Sequence, residues 1–449
     1  YTRLTNMSSS PLSLEMITSF SLGYITPFAA DDAPERLVLH RFRSGWSLEG
    51  RLDSQLIEQL QLERSWLGNA IYSERFGQVG TMPCRGFFPT AGVEDKDVGV
   101  VWAAQLYWAG SWQMEASRKD DFLCLSGGLA DREFGHWTKT LAPQQTFTTP
   151  IARLTCARAS VEETCQRLTR AHEKALEQQP EQERDLPIIF NEWCTSWGNP
   201  AHEQLLPVAD RLQDTLVRYF VIDAGWYKGD DVNWYTSHGD WNPSPKLFPK
   251  GLKAVADDIR ARGMIPGIWF EWEVVGANSA AFKLVDKMLK RDGVPITCGE
   301  RRFWNLNDPS AVSYLSEKVI ELISSCGFGY VKIDYNETIG IGCDGAESLG
   351  EGLRRQVEAY YRMLDILRRR LPSLVIENCS SGGMRWMESR LGWLFHEKCV
   401  CASTMPGIRK APAPSMRAAS SNSSGMLRAY WRTRKMPNTP ARPGTMAPA

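Results

Sequence analysis

The chain has 449 residues, 52 Lys and Arg against 52 Asp and Glu, 43% hydrophobic residues and 17 tryptophans. That length exceeds one ordinary domain, and the formal charge of zero argues against a nucleic-acid partner, whose phosphates would call for a basic surplus. No apolar run approaches the roughly 18 residues needed to cross a bilayer, and the eleven cysteines are odd in number and lack the spacing of a disulfide framework or metal site; a soluble chain without a membrane partner, in a reducing cytoplasm, is expected.

The sequence opens Tyr1-Thr2-Arg3 rather than with Met and shows no charged segment followed by an apolar core, which predicts that the natural protein begins earlier. Residues 1 to about 185 read as all-β. Short aromatic or alternating runs such as Val98–Trp108 lie between Gly, Asp and Pro punctuation, the pattern of a sandwich and not of a dinucleotide-binding domain. Ser160 to Gln179 reads as a helix with Leu168, Ala171 and Ala175 at helical spacing, and the charged, proline-bounded stretch Gln179–Pro187 reads as a junction.

From Pro187 short apolar strands alternate with amphipathic helices, which predicts parallel βα units. Strands are expected at 188–193, 219–223, 265–271, 330–334 and 374–378, with a weaker one at 302–306; helices are expected at 252–262, 280–290, 313–325 and 351–370. The five firmer strands end in Asn191 and Glu192, Asp223, Glu271, Asp334, and Glu377 and Asn378. In a parallel barrel such ends converge on one mouth. A single strand-end carboxylate can equally well cap the following helix. Five of them interleaved with Trp193, Trp226, Trp269 and Trp272 match what glycoside hydrolysis needs, paired carboxyls beside rings that stack on sugars.

Several segments carry a resemblance. Leu39–Glu49, Glu74–Gln78 and Gly135–Leu141 in the first half, and Val221–Trp226, Gly239–Trp241, Phe248–Gly251, Trp269–Glu273, Val331–Asn336 and Glu377–Gly383 in the second, are similar in sequence and order to glycoside hydrolase family 36, the α-galactosidases related to raffinose synthases. The resemblance implies a multidomain chain: an N-terminal all-β supersandwich at 1–184, then an incomplete (β/α)8 barrel at 185–395. It further implies a retaining hydrolase of terminal α-galactosyl residues, acting on a galacto-oligosaccharide or related α-glycoside, without metal or organic cofactor, and in some members as a homo-oligomer. It places the nucleophile at Asp334, with Lys332 on the same side of the strand favouring its ionised form. Substrate contacts are implied at Asp223, Trp226, Asp240, Trp241, Trp269, Lys332, Asn336, Cys379 and Gly382. By its residues alone Cys379 reads as a buried thiol, and Ser380–Gly383 as a turn rather than a phosphate loop, since the lysine of such a loop is missing.

Two departures stand out. Ala224 occupies the place of a second Asp in the related element, so the sugar is less firmly implied than the reaction. No Asp or Glu follows Glu397, although the family has a general acid/base Asp shortly after the Asn378–Gly383 element. From about Glu388 the composition turns to Pro, Ser, Arg and Met, which fits either a shifted reading frame or a natural basic tail of low order at 396–449. Residues 398–449 hold nine Lys and Arg and no acid, so residues 1–397 hold 43 bases against 52 acids. Impaired hydrolysis is expected of this chain, with transglycosylation or sugar binding without turnover as alternatives.

Overall fold

The computed structural model describes residues 1–64, 71–171 and 180–385. The expected basic tail, the last turns of the expected helix at 160–179 and the end of the expected barrel at 386–395 lie outside them. The N-terminal part is all-β. Ile151–Arg158, Val100–Tyr107, Gly86–Asp95, Leu37–Ser44 and Arg51–Leu56 form one antiparallel sheet in that order, and Thr18–Leu22, Phe122–Leu129, Trp112–Lys119 and Ile71–Gln78 form a second. Alternation supplies the packing: Leu37, Leu39, Val93, Ala104 and Leu106 from the first sheet share a buried cluster with Phe76, Met114, Ala116, Leu123 and Leu125 from the second.

After the helix Val161–Arg170, capped by Ser160, the pattern changes. Ile188–Asn191, Val217–Ile222, Ile265–Phe270, Tyr330–Ile333 and Val375–Asn378 are hydrogen-bonded in sequence order, and every pair is parallel. These are the five expected strands, curled into half a barrel. The helix Leu252–Ala261 buries Leu252, Val255, Ala256 and Ile259, the i, i+3, i+4, i+7 spacing that lays one stripe against the sheet. The 22-residue helix Leu349–Arg370 begins at the Ser348 cap, carries Glu351 in its first turn and Arg368, Arg369 and Arg370 in its last, each sign matching the helix dipole.

Two expectations fail. No helix spans 280–290: Ala280–Lys283 and Val285–Lys287 are single 3-10 turns, because Leu284 leaves the helical region and the backbone from Met288 pairs with the segment around Trp304. Arg301–Phe303 is a strand, but an antiparallel partner of Val274–Gly276 outside the parallel sheet.

The two parts share one core. Val274, Phe303, Tyr335, Leu353 and Val357 belong to the same cluster as the sandwich residues. The Gly135–Leu141 segment is where the helix at 349–370 docks. Trp137 Nε1 donates to Glu351 Oε2 at 3.0 Å, Lys139 Nζ lies 3.3 Å from Glu351 Oε1, and Ser348 Oγ both accepts from Thr138 N and donates to Thr138 O. Burial alone would raise Glu351, but Arg354, Lys139 and Trp137 hold it below its ordinary value. Trp137→Phe, which removes the indole donor from a buried carboxylate, is expected to lower stability by about 2 kcal/mol, read as a fall in Tm; an unchanged Tm would show that the contact is dispensable.

Candidate active site

Asp223, Trp269, Lys332 and Asp334 stand at the C-terminal ends of parallel strands, and short backbone bonds carry the strand ends from one to the next. Glu192 N donates to Val221 O, Asp334 N to Phe270 O and Cys379 N to Ile333 O, at 3.1, 2.7 and 2.8 Å. Asp334 is 8% exposed and its carboxylate is held by four donors. Oδ1 accepts from Tyr335 N and Ser381 N at 2.8 and 3.2 Å; Oδ2 accepts from Trp269 Nε1 and Asn336 Nδ2 at 3.2 and 2.9 Å.

Lys332 does not pair with Asp334, as its place on the strand suggested. Its Nζ donates instead to Asp223 Oδ2 at 2.8 Å, across the intervening strand. Burial would depress this ammonium, but Asp223 and the other acidic groups around it together more than offset that and keep Lys332 charged. Asp223 also accepts from Asn191 Nδ2 at 2.7 Å, and its backbone N–H donates to Glu192 Oε1 at 2.9 Å. Ala224 is buried, its N–H turned to Asp223 Oδ1. The next residue must be glycine: Gly225 has φ +103°, and a Cβ there would stand 2.2 Å from Gly198 O.

The tryptophans form a wall. Trp226 Nε1 donates to Trp269 O at 2.9 Å, the Trp226 and Trp241 rings stack at 5.9 Å, and Tyr227 lies nearly parallel to Trp269 at 6.0 Å. Trp226, Trp241 and Trp269 are all buried, and Trp241 Nε1 has no hydrogen-bond partner among the described residues. Asp240 stands apart from Asp334 and Asp223 in its contacts, both its oxygens being taken by Ala280 N and Ala281 N at 2.7 and 2.9 Å. Cys379 and Gly382, the latter at φ +92°, belong to the turn that brings Ser381 N to Asp334. Burial pushes the Cys379 thiol up and keeps it protonated.

Residues outside the expected set complete the surroundings. Asn191 and Ser381 touch the central carboxylates directly. Glu271, with Arg301, His238 and Asn336 about it, forms a second buried cluster; its strand-end position had marked it, but the Arg301 partner comes from a hairpin no local pattern links to it. Among the described residues no group of three or more His, Cys, Asp or Glu is arranged to hold a metal ion, and no helix is long and apolar enough to cross a membrane.

The carboxyls divide into two protonation classes. Burial pushes Glu192 and Glu377 up to about 7, each with Asp223 as a further repelling charge. Burial would also raise Glu271, yet Arg301 and the donors around it hold it at about 2. Glu377 thus has a folded value above its ordinary 4.5, so the stability it contributes is complete below that and is lost as pH rises through about 7. Glu377→Gln keeps an acceptor for Tyr330 OH, which now lies 2.6 Å from Glu377 Oε2. It is expected to raise stability at pH 8 by about 2 kcal/mol and to leave pH 5 little changed; parallel melts at the two pH values would expose a wrong sign.

The fold of this chain is shared with solved α-galactosidases. An α-galactosidase of glycoside hydrolase family 36 from Geobacillus stearothermophilus, AgaB, superposes with a TM-score of 0.74 over 89% of this chain and 54% of its own at 22% identity, and one from Lactobacillus brevis with 0.72 over 90% and 53% at 20%. The melibiase family model matches residues 146–403, and the chain belongs to that family. An Escherichia coli α-galactosidase is 30% identical over 293 residues, 64% of this chain and 40% of its own, and α-galactosidase 2 of Hypocrea jecorina is 23% identical over 408 residues, 88% of this chain and 51% of its own. The chain spans about half the length of the curated relatives it matches.

Proposed function

We propose that this chain carries the sugar-binding and nucleophile-bearing portion of a retaining α-galactosidase. The observation that supports the reading best is the Asp334 carboxylate, fixed by four donors at a strand end beside the Trp269 indole. A nucleophilic carboxylate must be ionised and aimed, and four N–H donors favour both. Asp334 attacks the anomeric carbon, the glycosidic bond breaks as the leaving oxygen takes a proton, and water then cleaves the glycosyl ester. The buried Lys332–Asp223 pair offers a cation with donors and an acceptor to sugar hydroxyls, and Trp226, Trp241 and Trp269 with Cys379 and Gly382 shape the wall. Relatives supply the substrate class: variants of the Geobacillus stearothermophilus enzyme AgaA have been solved with stachyose and with raffinose.

The N-terminal sheets are read as the supersandwich of this family at 1–184, and the five parallel strands as part of a (β/α)8 barrel at 185–395. The change from antiparallel pairing to parallel pairing between Arg158 and Ile188 supports that division.

Residues 398–449 hold no Asp or Glu, and a site that offers the leaving oxygen no proton donor would bind sugars without turning over unactivated substrates, which is a second reading. An aryl α-galactoside with a strongly acidic phenol leaves without that proton and separates the two. The chain is expected to release the phenol from this substrate, and Asp334→Asn to reduce the release at least about 10³-fold. Equal rates in wild type and variant would refute Asp334 as nucleophile. Raffinose cleaved no faster than in buffer, alongside phenol release, would support the second reading.

A further inference from the structure

We propose that Glu271 is a positioning residue that acts through Asn336 on the Asp334 carboxylate. The proposal rests on the reading of Asp334 as the attacking group and deepens it. Glu271 and Asp334 follow neighbouring parallel strands, and Asn336 stands between them. Glu271 Oε1 accepts from Asn336 N at 2.6 Å and Oε2 from Asn336 Nδ2 at 3.1 Å, so one carboxylate holds both the backbone and the side chain of the same residue. The same amide nitrogen donates to Asp334 Oδ2 at 2.9 Å, while Asn336 Oδ1 accepts from Ser381 Oγ at 2.5 Å.

This pattern leaves the amide one orientation. Reversed, its oxygen would face two carboxylate oxygens, losing both of those bonds and adding repulsion, while the bond to the serine hydroxyl would merely change direction. Both amide protons are already committed to carboxylates, so Asn336 is assigned to this clamp rather than to the sugar contact its resemblance implied. Glu271 is anchored in turn. Arg301 Nη1 lies 3.2 and 3.3 Å from its two oxygens, and His238 Nε2 lies 3.4 Å from Oε2. Arg301 is itself fixed by the bond from its Nε to Tyr235 O at 2.9 Å and by stacking on the Tyr235 ring at 3.2 Å. Glu271, His238 and Arg301 are all 0% exposed, which keeps competing water from Glu271 and its anchors.

The clamp supplies rotational control. The last torsion of an Asp side chain is broad, so an unheld carboxylate samples orientations in which neither oxygen faces the anomeric carbon. A misplacement of about 1 Å can cost about 10²-fold in rate. A purely structural Glu271, present only to neutralise Arg301, would not act through Asn336.

A double-mutant cycle on the full chain tests this, read as phenol release from the activated aryl α-galactoside and galactose affinity by calorimetry. Asn336→Ala and Glu271→Gln are each expected to slow release about 10- to 100-fold while galactose affinity stays within about 2-fold. The double variant is expected to be no slower than the poorer single within about 2-fold, since both changes break one chain of contacts. Multiplying effects, or equal loss of rate and affinity, would overturn the proposal. If Glu271→Gln fails to fold with Arg301 left unpaired, Ser381→Ala replaces it, removing the bond to Asn336 Oδ1 while sparing the ion pair. It is expected to slow release about 3- to 10-fold in the wild-type background and not at all beside Asn336→Ala. Hydrogen exchange of the Asn336 side-chain amide, followed by selective ¹⁵N labelling, needs no substrate. Slow exchange in wild type that becomes fast in Glu271→Gln or Ser381→Ala supports the clamp, and solvent-rate exchange in wild type refutes it. A wild type that releases no phenol but protects this amide would discard the α-galactosidase reading and keep the clamp.

Discussion

Lys332 Nζ and Asp223 Oδ2 are 2.8 Å apart although a whole strand, Ile265–Phe270, runs between the strands that carry them. In a flat sheet, strands two apart are separated by about 10 Å, so a direct contact between their side chains requires the sheet to curl toward its own concave face. Curling brings the strand ends together, and it puts several ionisable groups into a space with little water. Each charge there survives only beside a partner. Asp223 has Lys332 and Asn191, Asp334 has four N–H donors, and Glu271 has Arg301 with Asn336. Glu192 and Glu377, for which burial outweighs the available partners, are pushed toward neutrality instead.

The all-β part is tied to this site through the loop that follows Asp334. Tyr335 OH and Thr81 Oγ1 are 2.7 Å apart, and Cys84 N donates to Met384 O at 2.9 Å beside the turn whose Ser381 N holds Asp334. Arg385 is sandwiched over Tyr335 and Tyr360 and reaches buried Glu273 with both guanidinium nitrogens. The loop and the turn that carry donors to Asp334 are therefore held by contacts from the parallel sheet and from the sandwich.

Much of the site was legible in the sequence because period-2 alternation and strand-end polarity are local signals. The five parallel strands follow from apolar runs ending at Asn191, Asp223, Glu271, Asp334 and Asn378, and each is present within two residues at either end. Local signals misled where tertiary pairing competed. The stretch 280–290 has a helix-like composition, but Asp240 binds the N–H groups of Ala280 and Ala281 while Leu289 N is drawn to Phe303 O, and a continuous helix cannot satisfy both. The Gly135–Leu141 segment was recognisable by resemblance alone; its physical task, seating the first turn of the helix at 349–370, needs the contact partner to be seen.

The sequence by itself determined the order of elements, the change from antiparallel to parallel architecture and which strands end in carboxylates, since each depends on residues a few positions apart. Tertiary structure alone decided which charge meets which. Lys332 and Asp334, two residues apart on one strand, had seemed a pair, but the curl of the sheet offers Lys332 an acceptor 109 positions away, while Asp334 turns to Trp269, Asn336 and backbone N–H groups. Glu271 and Arg301 likewise meet only when a hairpin folds over the third strand end. Distances between side chains remote in sequence set the electrostatics of a buried site, and no local pattern encodes them.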